Sequence, residues 1–139
     1  MQTYPIYNNL NFFIKKNSTL PKIKYQLKQR VLEKYDITSE MLEDVAVTFS
    51  MIDENNGVYR IANVEAELIV NNDRPEYPDE KTYTLAYQLS VKQTSRGGRF
   101  AGEFVIDFIQ PNGCGKIKFP IDDNINIIIN DSITKTDVV

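Results

Sequence analysis

An all-β fold, a two-sheet antiparallel sandwich of seven or eight strands, is what this chain of 139 residues predicts. Two observations carry the prediction. The first is alternation. Residues 97–108, 116–120 and 125–129 form three strand-like runs, each with an apolar set on every second residue. That period puts one face of a strand into a core and the other toward solvent or a partner. The second is turn chemistry at short intervals, such as Pro111-Asn112-Gly113 between the first two of those runs.

The elements follow in order. Residues 1–10 mix Tyr, Pro and Asn without a period and read as an extended arm. Residues 11–16 form a short first strand. Residues 20–30 are rich in Lys and Gln, which favours helix, but Ile23, Tyr25 and Leu27 alternate with lysines and Gln26. The alternation and the preceding Pro21 decide for strand. Residues 37–44 hold one helical turn, with Thr38 or Ser39 as N-cap. Val45, Val47, Phe49 and Met51 line one face of the next strand. Asn56-Gly57 then predicts a hairpin, because both residues accept positive φ. Residues 58–70 return as one long strand or two short ones, with Ala62, Val64, Ala66, Leu68 and Val70 on a shared face. A polar loop over 71–80 leads to a strand over 82–91, in which Tyr83, Leu85, Tyr87, Leu89 and Val91 alternate with polar residues. Residues 94–98 form a flexible loop, and the three closing strands follow. Residues 131–139 are a polar tail, so the expected domain spans 11–130 between an arm and a tail.

Composition narrows the function. Apolar residues make up 42% and charged residues 25%, ordinary values for a globular domain. The net charge of −3 advertises neither nucleic acid nor an anionic membrane as a partner. Histidine is absent, which removes His-based triads and His-ligated metals. The single cysteine, Cys114, allows no internal disulfide and has no visible base beside it. No signal peptide is expected, and no apolar run approaches the roughly 20 residues that span a bilayer.

The remaining motifs have plain structural readings. Gly97-Gly98 and Gly102 lead into a strand, whereas a phosphate loop needs a helix there. Asp122 and Asp123, with Asp107 and Asp131, offer oxygen ligands for calcium, but Pro120 and Asn124 around them make a turn the simpler reading. Glu65 and Glu67 share a strand face, as catalytic carboxylates can, yet a solvated face explains them. The sequons at Asn17 and Asn130 are read as chance. No catalytic residue, metal or cofactor is expected.

The eight tyrosines and seven phenylalanines mostly occupy core-facing strand positions. Tyr4, Tyr7 and Tyr77 do not; they sit in arm or loop segments beside prolines. With Pro5, Leu10, Val138 and Val139 they form the candidate interface, since Tyr is enriched where subunits meet.

The order of motifs resembles the immunoglobulin-like N-terminal domain of phage upper baseplate proteins. The resemblance rests on Ser18-Thr19-Leu20-Pro21 before an alternating strand, on Asp36-Ile37-Thr38, and on the run from Val45 through Phe49 to Asp53. It continues in Thr84 to Leu89, Gly98-Arg99-Phe100-Ala101-Gly102-Glu103-Phe104, Phe119-Pro120 and the final Ile-Asn-Ile strand. It covers residues 10–130 and departs at 28–35 and 71–80. It implies an immunoglobulin-like β-sandwich with extended terminal arms, and a structural protein of a tailed-phage virion. The long extension that carries receptor-binding parts in those proteins is missing, which favours a connector, adaptor or decoration subunit in tail, baseplate or neck. The implied partners are other virion structural proteins, with a symmetric homo-oligomer inside a particle assembled in the bacterial host cytoplasm. A carbohydrate-binding β-sandwich module is the alternative, suggested by the fold class and the Tyr-rich loops.

Overall fold

The computed structural model describes residues 8–72, 74–77, 80–108 and 115–130. Within them nine strands form two sheets, against the seven or eight expected. The first sheet contains β1 (Asn11–Lys15), β3 (Val45–Asp53), β4 (Tyr59–Glu65), β7 (Gly98–Phe108), β8 (Gly115–Phe119) and β9 (Ile125–Asn130). Its order is β1-β9-β7-β3-β4, with β8 also on β7. β9 pairs with Gly98 to Gly102 and β8 with Phe104 to Phe108, so the two share one edge of the long β7. The second sheet contains β2 (Lys22–Lys28), β5 (Glu67–Asn71) and β6 (Thr82–Gln88), in the order β2-β6-β5.

The expectation of a wholly antiparallel sandwich needs correction. β1 runs parallel to β9, with Phe13 beside Ile128. Alternation within a strand fixes its faces but carries no direction for its neighbour.

The core lies between the sheets. Phe49 stacks on Tyr87 of the opposite sheet and meets Phe104 of its own, both at 4.9 Å between ring centroids. Phe49, Leu85, Tyr87, Phe104 and Phe108, expected to share one core, are all buried in it. A second aromatic link, Tyr25 to Phe119 at 6.0 Å, joins β2 to β8.

Residues 58–70 form two strands that belong to different sheets. The chain changes sheet at Ala66, whose N–H donates to the Val47 carbonyl at 2.8 Å. Before that point the register against β3 shifts, and Asn63 adopts a φ of 49°. The extra residue places Ile61 in the core and leaves Ala62 exposed, opposite to the predicted phase. Ser50 is buried beside the bulge, and its Oγ accepts the Asn63 N–H at 2.9 Å.

Short helical pieces interrupt the strands. α1 (Gln29–Glu33) follows β2 directly, so the predicted strand over 20–30 ends two residues early. It is anchored by the buried Gln29, which accepts the Tyr83 hydroxyl at 2.7 Å and donates to the Ile37 carbonyl at 3.3 Å. A 3-10 turn at Met41–Glu43 meets the helical-turn expectation, and the Met41 N–H donates to Thr38 Oγ1 at 3.3 Å. α2 (Val91–Thr94) replaces the predicted end of a strand. Ser90 and Gln93 form a reciprocal capping box, which starts a helix where alternation alone extended β6. The Asn56-Gly57 hairpin is present, but only Gly57 has positive φ. Bonds from Gly57 N–H to Asp53 and from Asp53 N–H to Val58 close a wider loop than a two-residue turn.

Candidate interaction surface

Of the predicted interface residues, Tyr4, Pro5, Tyr7, Val138 and Val139 lie outside the described residues, as do Cys114 and Asp131. Leu10 lies among the described residues and is only partly exposed. It packs partly against the chain's own core, and its carbonyl accepts the Asn126 N–H at 2.7 Å. Docking beside β9, which local sequence does not reveal, holds it there. Tyr77 is 39% exposed, and the Arg74 guanidinium lies 4.7 Å from its ring centre. Arg74 also bridges to Glu80 at 3.1 Å, so Tyr77 belongs to a locally packed loop.

The acids do not assemble. Glu65 pairs with Thr48 on the outer face of the first sheet, while Glu67 belongs to the second and holds Lys22 at 3.3 Å. The shared face expected of them is broken by the sheet change at Ala66. Among the described residues no group of three His, Cys, Asp or Glu side chains is placed to hold a metal. Nor is any helix there long and apolar enough to cross a membrane.

Open sheet edges are the surface features that stand out. β2 ends the second sheet and carries lysines at 22, 24 and 28, alternating with Ile23, Tyr25 and Leu27. Asn8 already treats this edge as a strand would. Its Oδ1 accepts the Gln26 N–H at 2.7 Å and its Nδ2 donates to the Gln26 carbonyl at 2.9 Å. Backbone groups two residues apart on a strand point the same way, so those of Lys22 and Lys24 face this edge too. A groove of about 470 Å³ runs beside them, lined by Phe12 and Leu20 as well as Asn8, Lys22 and Lys24. Leu20 is 85% exposed at its rim. Apolar contact, unpaired peptide groups and positive charge together suit an extended, acidic or neutral segment added as a further strand.

Sequence reasoning missed this edge, although its signal was present. Lysine at alternate positions of a strand is how natural proteins keep an edge from pairing indiscriminately.

Tyr25, on β2, has its phenol pushed above the ordinary value, first by burial and then by the nearby Tyr35 and Asp122. A raised folded-state value keeps its stabilising effect below the unfolded value near pH 10 and loses it as pH rises through the folded one. Denaturation midpoints should therefore fall above about pH 10. Tyr25→Phe should flatten that fall, and an unchanged slope in the variant would show that Tyr25 is not its source.

Against protein-family models, curated proteins and solved structures, the chain has no match.

Proposed function

We propose that this chain is a non-enzymatic structural protein of a tailed-phage virion, an immunoglobulin-like connector or adaptor that joins other virion proteins through its sheet edges. The observation that carries the reading is the β2 edge, where Asn8 bonds Gln26 and the neighbouring Lys22 and Lys24 peptides have no partner among the described residues. Such an edge binds chains rather than small molecules. The strand order supports the immunoglobulin-like part. The order β2-β6-β5 corresponds to B-E-D of an immunoglobulin domain, and β9-β7-β3-β4 to G-F-C-C′, with β1 and β8 added to the latter sheet. Separation of Glu65 from Glu67 weighs against a two-carboxylate enzyme. Arg74 on the Tyr77 ring weighs against sugar stacking there.

Removal of residues 1–7 tests the reading, because it spares Asn8 while deleting the apolar arm. The truncated protein should melt within a few degrees of the full chain and enter particles poorly when expressed with its neighbouring genes. Unfolding of the truncated protein, or unchanged incorporation, would contradict the expectation that Tyr4, Pro5 and Tyr7 form part of the interface. Absence of the full chain from purified particles would contradict the virion reading itself.

A further inference from the structure

We infer that β1 is a self-complementary edge through which two copies of this chain pair, antiparallel and centred on Phe13. The inference rests on the proposed use of sheet edges and gives a form to the homo-oligomer that the resemblance implies; it is argued from the donors and acceptors of one strand.

Leu10 C=O and Lys16 N–H bond to β9, so even-numbered residues of β1 turn their peptide groups toward that neighbour. Asn11, Phe13 and Lys15 then turn theirs to the open edge. Two of these six groups are used within the chain. The Asn11 N–H donates to Asn9 Oδ1 at 3.0 Å, and the Lys15 C=O accepts from Ser18 N–H at 3.1 Å. Without a partner among the described residues are the Phe13 N–H and C=O, the Asn11 C=O and the Lys15 N–H.

A two-fold axis at Phe13 pairs these four groups with no remainder. Phe13 N–H and C=O meet the same groups of the second copy, and each Lys15 N–H meets the other copy's Asn11 C=O. The bonds such a ladder would otherwise make at Asn11 N–H and Lys15 C=O are the two already made internally. The side chains agree. Phe13 is 72% exposed on the outer face, beside a hollow of about 450 Å³ lined by Arg99, Asn126 and Ile128. Lys15 falls opposite a neutral Asn11, so no like charges meet. The β2 edge fails the same test, because two-fold pairing there sets lysine against lysine. An interface of one short strand is small, so a reversible dimer is expected rather than an obligate one.

Sedimentation equilibrium of the full chain up to about 1 mM should show a concentration-dependent dimer. Phe13→Asp should abolish it while leaving the melting curve in place. Register is tested by Asn11, whose side chain accepts from Asn126 Nδ2 and can do so as Asp. Asn11→Asp faces Lys15 of the second copy and should tighten the dimer about fivefold, whereas Asn11→Lys should weaken it by a similar factor. These two variants decide the matter if Phe13→Asp unfolds. A monomer throughout the range, a dimer indifferent to Phe13→Asp in a folded protein, or equal affinity of the two Asn11 variants would overturn the inference. A protein monomeric in solution yet present in particles would overturn this pairing and leave the proposed function standing.

Discussion

Phe104→Ala should destabilise the protein by about 3–5 kcal/mol, the largest effect expected of a single side-chain truncation here. Phe104 is fully buried in the middle of β7, its ring 4.9 Å from Phe49, and its backbone pairs with Phe49 on one side and Phe119 on the other. Truncation removes the ring's transfer free energy and leaves a cavity whose walls are other aromatic rings. Those rings are fixed in turn by the opposite sheet, through the stack of Phe49 on Tyr87, so collapse into the space is restricted. Against a typical total of about 5–15 kcal/mol, the loss is a large fraction of the folding free energy. Urea denaturation of the variant and the parent gives the difference directly. A loss under about 1 kcal/mol would mean that this cluster is not where the sheets are joined.

The second large effect comes from adding one carbon. A Cβ on Gly102 would lie 2.8 Å from Phe49 Cζ and 3.1 Å from Ile127 Cδ1. Gly102 faces the core from β7, and the Phe49 ring it would strike is held between Tyr87 and Phe104. Neither the ring nor the strand can move without disturbing a neighbour, so Gly102→Ala should cost about 1–3 kcal/mol by overpacking. Gly115→Ala provides the contrast, since an added Cβ there meets nothing within 4 Å. Its effect should stay within about 0.5 kcal/mol. Equal effects at the two positions, measured by denaturant unfolding, would refute the packing explanation.

The same glycine shows what was legible in the sequence. Alternation identified the inward face of β7, but nothing local marked Gly102 as the space into which Phe49 fits. Faces of β2, β3, β6 and β7 were readable because burial on one side of a sheet imposes a period of two. The phase at Ala62 was not, because one bulged residue at Asn63 shifts the pattern, and the Ser50 hydroxyl that bonds its N–H lies across the ladder, 13 residues away. The change of sheet at Ala66 was hidden for a related reason. β4 and β5 differ in partner, not in composition. Partners escaped throughout: β1 beside β9 and Asn8 beside Gln26 are 115 and 18 residues apart. The candidate interface combines tyrosines of the arm and a loop with Pro5, Leu10, Val138 and Val139 of the terminal segments. Of its two described members, Leu10 packs on the core and Tyr77 on Arg74. The exposed edges were instead written as lysines alternating along β2 and as Phe13 on a five-residue strand.

The claim that this chain works by lending its sheet edges to virion proteins is tested most directly by lysine-specific cross-linking of purified particles, read by mass spectrometry. Lys22 and Lys24 flank the groove beside β2 and should be joined to a segment of a second virion protein. The chain's absence from the particles, or cross-links to other virion proteins that never involve Lys22 or Lys24, would contradict the account.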